Sequence, residues 1–489
     1  MRIVVLGAGV GGLAAGARLA ALGHRATVLE QAAAPGGKAG RVEMDGYAFD
    51  SGPSLLTMPW VLADLFTDTG AALEEDLELV RVEPGTEYRF ADGSSVALGA
   101  DLPPTLAALE RFAPGAGEDW ARHLGACSRH VEGLRAGPLR TRPWPPRRPR
   151  RGERRPSPAD LLRIRPWRTL RGLARSTIRD PRLRLVVERG ATYAGADPRR
   201  APAALAVAGY VEHAFGAWHV RGGLYAIVEA LVRRLEAAGG ELRLGTAARE
   251  IAVVSDRVSA VVTAGAEALP CDAVVSTVDA ALEDRLVARG PGELRVGIEP
   301  ERSLSGFALM LGLRGGRRGS ATTPSSSRPT TTRSSTTSSS TAARCATRPS
   351  TWPRRRSPTR ASAPPGDEGW FVLANAPTHG GRLDWDAHAD AYEEHLLDRL
   401  ARRGLDVRER IAVRARRTPA DLERETGAPG GAIYGAAPHG RLGTVGRPAN
   451  AARRPRGLYR AGGTVHPGGG LPLVMLGAKV VAEEIGPAR

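Results

Sequence analysis

Two rhythms of apolar residues open the chain. Ile3-Val4-Val5-Leu6 is a continuous apolar run of buried-strand length. Val10–Leu22 then carries apolar and small residues at helical spacing up to Gly23, and Ala26-Thr27-Val28-Leu29 is a second short strand. Together they predict a strand–helix–strand unit of about thirty residues. The same grammar returns downstream. Leu224–Ala238 reads as an amphipathic helix stopped by Gly239-Gly240, followed by strands at Glu241–Leu244, Arg249–Val254, Arg257–Thr263 and Asp272–Thr277. A strand at Leu458–Ala461, a glycine-rich turn and a helix over Leu473–Ile485 close the chain. Between these blocks, residues 100–220 read as mostly helical, and 290–310 and 367–440 as mixed strand and helix.

The turn between the first strand and helix carries chemistry. Gly7-Ala8-Gly9-Val10-Gly11-Gly12 is a GxGxxG pattern on Gly7, Gly9 and Gly12, and Glu30 ends the second strand. In this context Gly7 permits the tight turn, Gly9 lets the backbone approach a pyrophosphate, and Gly12 lets helix and strand pack closely. The helix N-terminus offers free N–H groups to phosphate, and Glu30 is placed to accept from a ribose diol. A second turn, Gly36-Gly37-Lys38, follows Glu30 after five residues, with Gln31 before it and Arg41 after it. This Glu-x5-Gly-Gly-Lys arrangement resembles FAD enzymes of the glutathione-reductase-2 and amine-oxidase type. So does the closing turn, Ala461-Gly462-Gly463-Thr464-Val465-His466-Pro467-Gly468-Gly469-Gly470-Leu471-Pro472.

Composition first misdirects and then sharpens this picture. The chain has 489 residues, a formal charge of +17 and a pI near 10.8, which on its face suggests a nucleic-acid or anionic-membrane partner. Arg140–Pro156 alone carries +7 and Arg302–Gly366 carries +12, so the remaining body is at −2. A nucleic-acid binder would interleave basic and aromatic residues on folded elements, which this charge distribution does not do. Three scattered cysteines exclude a disulfide framework or a zinc site and fit a reducing compartment. His213 and His219 lack the i, i+4 spacing of a helical metal pair, so no metal is expected. No apolar run reaches the roughly 18 residues of a spanning helix, and Arg2 alone makes a poor signal-peptide n-region.

Further stretches narrow the resemblance: Asp45-Gly-Tyr47-Ala-Phe49-Asp50-Ser-Gly52-Pro53-Ser54, Val220-Arg221-Gly222-Gly223-Leu224, Phe371–Pro377, Gly431-Ala-Ile-Tyr434-Gly435 and Leu458–Pro472. With these the chain resembles the bacterial carotenoid desaturases of the phytoene-desaturase type, which are amine-oxidase-like flavoproteins. The resemblance implies an α/β fold: a Rossmann-like FAD-binding domain with an α+β substrate domain and a helical, membrane-facing portion. The FAD domain would be discontinuous over 1–90, 220–285 and 441–489. Residues 91–219 would form the helical, membrane-facing region, and 286–440 the substrate domain, interrupted at 320–362. The implied cofactor contacts are Gly7, Ala8, Gly9, Gly12, Glu30, Gln31, Gly37, Lys38, Arg41, Ala248, Gly463, Thr464, Gly470, Leu471 and Pro472.

The implied reaction is dehydrogenation of C–C single bonds in a long apolar polyene, phytoene or a partly desaturated or end-modified carotenoid. FAD takes the hydride and a quinone or oxygen reoxidises it. The allylic cation that remains loses its proton readily, so no strong protein base is demanded. His466, the one histidine of ten inside a cofactor motif, is either a polar turn residue or a group acting beside the flavin. Tyr47, Phe49, Met58 and Trp60 read as ordinary core or as the lining of an apolar channel. The insoluble substrate implies a cytoplasmic protein held at a membrane surface. Leu161–Leu173, which interleaves aliphatics, Trp167 and arginines, reads either as an interfacial segment or as a basic helix packed on its own domain. Rival readings are another flavin oxidase of this fold, either a carotenoid terminal oxidase or an amine oxidase. The closing turn lacks the cysteine of covalent-flavin amine oxidases, and aromatics are only 5% of the chain.

One segment departs from the family. Ser320–Ser362 is almost wholly Ser, Thr, Arg, Ala and Pro, with no aliphatic residue larger than alanine. In GC-rich coding DNA, Phe-Asp and Tyr-Asp codons read one base late give Ser and Thr. The segment therefore reads as translated in a displaced frame between two compensating indels, the alternative being a disordered insertion. On the first reading substrate-domain structure is missing, and the chain as written is an unstable or inactive product.

Overall fold

The computed structural model describes residues 1–136, 167–288, 300–315, 351–352, 363–380, 383–440, 443 and 446–488. The basic tract Arg140–Pro156 and nearly all of Ser320–Ser362 lie outside the described residues.

The apolar runs become a five-stranded parallel sheet. Its strands are β1 (Arg2–Leu6), β2 (Arg25–Leu29), β3 (Glu241–Arg243), β4 (Ala273–Ser276) and β5 (Leu458–Arg460), in the order β5-β4-β1-β2-β3. A parallel sheet of near-continuous apolar strands needs both faces covered. Side chains alternate across β1: Ile3 and Val5 point into one cluster, Val4 and Leu6 into another. On the first face lie α1 (Val10–Ala21), α2 (Pro59–Asp68), α3 (Tyr225–Ala237) and α4 (Leu471–Ile485), sharing Leu13, Leu65, Leu231 and Met475. On the second face lies an antiparallel sheet of Ala248–Val254, Arg257–Thr263 and Ala268–Pro270, which contributes Ile251, Val258 and Val261.

A second body of helices includes Leu102–Phe112, Ala116–Ala136, Leu170–Thr177, Pro181–Arg189 and Val207–Phe215, with its own apolar cluster around Leu109, Trp120, Leu173 and Leu183. Residues 161–166 lie outside the described residues. In the rest of that stretch Leu170 and Leu173 are buried, and Arg171 makes a two-pronged pair with Glu188 at 2.9 Å. Only Trp167 stands out, 56% exposed. For Leu170–Leu173 the packed-helix alternative therefore holds, because its apolar side faces its own core. Among the described residues no helix is long and apolar enough to cross a membrane.

A third layer is the antiparallel sheet with Ser305–Leu313 between Glu368–Ala376 and Ile411–Arg417. Phe307, Leu309, Leu311 and Leu313 pack with Trp385, Leu397 and Leu400 of the helix Trp385–Ala401. Met310 packs the opposite way, with Tyr47 and Phe49. Those two aromatics are buried core, Met58 packs against the main core, and Trp60 is 43% exposed.

Asp50 ties distant segments together. It ends the strand Tyr47–Asp50, and its carboxylate accepts from Leu224 N at 2.7 Å and Tyr225 N at 3.0 Å, at the start of α3. Burial pushes its pKa up while the two N–H donors pull it down. Asp50→Ala leaves both donors without this partner and is expected to cost about 1–2 kcal/mol. Denaturant unfolding measures this: the midpoint falls for Asp50→Ala and is partly restored in Asp50→Asn. An unchanged midpoint contradicts the role.

Candidate functional site

Four pieces of chain meet at the carboxyl end of β1. The first is the turn Gly7–Gly12. Gly7, at φ +96°, donates its N–H to Leu29 O at 2.8 Å and sits under Thr277, where a Cβ would lie 2.8 Å from Oγ1. A Cβ on Gly12 would lie 1.8 Å from Gly7 O, inside the backbone itself, so helix and strand meet with no side chain between them. Gly9 caps α1 with no side-chain cap, and the first turn holds no acid. Its N–H donors and partial positive charge are left for an anion.

The second piece is Gly36-Gly37-Lys38. Gly9 bridges to Gly36 in parallel fashion, and Gly36 N donates to Ala8 O at 2.9 Å. A Cβ on Gly37 would be 3.6 Å from Gly9 Cα, so the two glycine turns lie against each other. The Lys38 ammonium donates to Ala432 O at 3.1 Å and Ile433 O at 2.7 Å. Desolvation lowers its pKa to about 8, with Asp279 opposing the shift and Arg417 adding to it. Although its side chain as a whole is only half-buried, its ammonium lies deep between these groups.

The third piece centres on Glu30, which is 8% exposed. Its Oε2 accepts from Ala8 N at 2.8 Å and its Oε1 from Ala32 N at 3.0 Å. Each carboxylate oxygen keeps a further acceptor direction for a diol. Its backbone pairs with Arg243 and Thr246, which brings the chain leading into Ala248 alongside. Two expected contacts are committed elsewhere. Gln31 Nε2 donates to Glu425 O at 2.9 Å, and Arg41 pairs with Glu43 at 2.9 Å and Glu229 at 3.9 Å.

The fourth piece is the closing turn. Gly470 caps α4 without a side-chain cap or an acid in the first turn, and Leu471 and Pro472 begin the helix. A Cβ on Gly11 would meet Val474 Cγ1 at 2.9 Å and Gly462 Cα at 3.3 Å, so the starts of α1 and α4 adjoin. Thr464 Oγ1 accepts from Ala280 N at 3.2 Å. Arg447 Nη1 donates to Gly463 O at 3.0 Å and Tyr434 O at 3.1 Å. His466 is 6% exposed, and its Nε2 has no hydrogen-bond partner among the described residues. Burial first, and Arg447 second, lower its pKa to about 4. It is therefore neutral near pH 7 and a weak base, as a positioned turn residue would be.

Two adjoining uncapped helix starts, a side-chain-free glycine cradle and an orphaned buried nitrogen fit a bound dinucleotide with a ring system over the closing turn. Sequence reasoning did not nominate Arg447, Tyr434, Thr277 or Asp279. Tyr434 lies in a stretch already singled out, and its ring presses on Gly469, where a Cβ would fall 2.4 Å from Cδ1.

Comparison with known proteins agrees with this geometry. The family model described as flavin containing amine oxidoreductase matches residues 10–282. The hydroxyneurosporene desaturase of Rubrivivax gelatinosus is 32% identical over 500 residues, covering 99% of this chain and 93% of that protein. The phytoene dehydrogenase of Streptomyces griseus is 33% identical, covering 99% and 94%. The solved structure of putrescine oxidase bound to putrescine superposes with a TM-score of 0.63 at 15% identity, covering 99% of each chain, and shares the fold.

Two outcomes are expected. Gly12→Ala forces helix and strand apart, so the purified variant loses FAD, read as flavin absorbance per protein. Full occupancy contradicts the cradle. For His466, the pKa of about 4 lies below the usual 6.5. Between those values the unfolded chain binds a proton that the native chain refuses, so this contribution lowers stability as pH falls from 6.5 toward 4. His466→Gln removes it, and its stability loss between pH 7 and 4.5 is smaller than that of the unsubstituted chain by about 2 kcal/mol. Denaturant unfolding at both pH values measures the difference.

Proposed function

Because the chain belongs to the flavin-containing amine oxidoreductases, among their carotenoid desaturases, we propose that it dehydrogenates C–C single bonds of a long acyclic polyene. FAD is its cofactor. The observation that carries this reading is the meeting of α1, the Gly36-Gly37-Lys38 turn and α4, within a chain alignable end to end with desaturases. When bound, FAD supplies the hydride acceptor.

What the chain supplies is binding and placement. The uncapped starts of α1 and α4 hold the pyrophosphate and the ring end, through Gly7, Ala8, Gly9, Gly12, Gly37, Gly463, Thr464, Gly470, Leu471 and Pro472. Glu30 accepts from the adenosine ribose, with Ala248 beside it. Lys38 brings a cation, held on two carbonyls, to the same cleft. No strong base stands in the closing turn: burial holds the His466 pKa near 4, and Asn450 Nδ2 fixes the backbone there by donating to His466 O at 2.8 Å. That suits a substrate whose cationic intermediate sheds its own proton.

The polyene is insoluble, so the protein works at a membrane surface from the cytoplasmic side, as a peripheral protein. The substrate's chemistry and exposed Trp167 support that placement. A quinone or oxygen takes the electrons onward.

Expression of the full chain in a polyene-producing host tests the reading. Pigments with longer conjugated systems are expected on chromatography, and an unchanged profile from a folded, FAD-loaded chain overturns it. Resequencing the gene tests the frame of 320–362. A family-like segment in a neighbouring frame is expected there, and its absence from both neighbouring frames removes the displaced-frame reading.

A further inference from the structure

Arg447 is held differently from other arginines that lie inside the fold. Arg18, Arg417 and Arg460 each meet a carboxylate, on Asp68, Glu425 and Glu283. Arg447 is half-buried, and among the described residues no carboxylate lies within ion-pair distance of it. Only its Nη1 is committed, to Gly463 O at 3.0 Å and Tyr434 O at 3.1 Å. Nε and Nη2 make no hydrogen bond within the described residues. Burial lowers the pKa of this guanidinium and Tyr434 opposes the shift, yet an arginine stays charged at any working pH.

Its place beside the closing turn is fixed by a short strap, Arg447–Asn450. His466 N donates to Pro448 O at 3.0 Å, Asn450 Nδ2 to His466 O at 2.8 Å, and Arg460 N to Asn450 O at 2.6 Å. No side chain separates the guanidinium from the turn: a Cβ on Gly468 would lie 3.5 Å from Arg447 Nε. His466, whose buried Nε2 lacks a partner, lies within the field of this cation. Two residues beyond Gly468, Gly470 opens the 15-residue helix α4 with no cap and no acid in its first turn. The stretch Ala461–Pro472 contains no acidic residue at all. A guanidinium and the positive pole of a helix therefore converge on one turn that offers neither of them an anion.

Like charges gathered in a partly desolvated place cost free energy unless something offsets them. An anion at the closing turn does so. The pyrophosphate belongs with the paired glycine turns at α1, and the closing turn takes the ring end of the cofactor. The oxidised flavin ring is neutral. A hydride carries two electrons and one proton, so the ring that takes it gains one negative charge, while the second proton leaves from the substrate carbon. Resting on the flavin desaturase reading above, we propose that Arg447 tunes the cofactor: its guanidinium stabilises the charge the ring gains on reduction, so that the protein holds reduced FAD more tightly than oxidised FAD. Main-chain carbonyls can orient such a cation without neutralising it, which a carboxylate could not.

The test is a spectroelectrochemical titration of the purified, FAD-loaded full chain and its variants. Arg447→Gln is expected to weaken the binding of reduced FAD relative to oxidised FAD by about tenfold or more. The midpoint potential then falls, each tenfold being about 30 mV for a two-electron couple. Arg447→Met, neutral and without donors, falls at least as far, and Arg447→Lys restores most of the potential. A neutral variant that purifies without FAD is titrated with oxidised and with reduced FAD, and the ratio of the two dissociation constants carries the same information. Equal weakening of both redox states overturns the proposal, because the pyrophosphate is charged in both and a structural defect loosens both alike. An unchanged potential, or a Lys variant as low as Gln, also overturns it. Each of these leaves the flavin desaturase reading standing, whereas an unsubstituted chain that takes up no FAD removes that reading as well.

Discussion

The contact between Gly12 and Gly7 O sets the geometry of everything around it. With no atom to spare there, the first turn of α1 sits directly on the end of β1, and its uncapped N–H groups face the cleft at backbone distance. Gly9 can then lie against Gly36 and Gly37, and Gly11 against Gly462. Three segments from opposite ends of the chain share one small volume because none carries a side chain into it. A methyl group at Gly12 would displace α1 and, with it, the seats of both other turns.

Charge in the cleft is arranged around that contact. Glu30 is held by two backbone N–H groups, so its carboxylate stays fixed while still able to accept from a ligand. Lys38 is held by two backbone carbonyls in the same way, and desolvation brings its pKa to about 8 without discharging it at neutral pH. Each charged group is oriented by main chain and not by an opposite charge. An ion pair would neutralise the group, whereas main-chain partners leave its field available to a bound anion or diol.

Elements with a local signal were legible in the sequence. The strand–helix–strand start, the 248–263 hairpin and the closing helix depend on periodicity and glycine spacing, and they appear within one or two residues of where the pattern puts them. The glycine turns were legible for the same reason. Arg447, Tyr434 and Asp279 were not, because each gains its role from chain far away. Tyr434 matters through Gly469 and Gly195, and Asp279 through its field on Lys38. Gln31 and Arg41 show the converse: the motif nominated them, but Glu425, Glu43 and Glu229 compete for their side chains. Ser320–Ser362 lacks periodicity of either kind.

Net charge is a poor guide here because it averages unlike things. A body at −2 carries many arginines, and those the structure describes are largely spent within the fold: Arg18 on Asp68, Arg460 on Glu283, Arg171 on Glu188. The total therefore reports the two basic tracts and says nothing of the paired arginines that hold the folded body together.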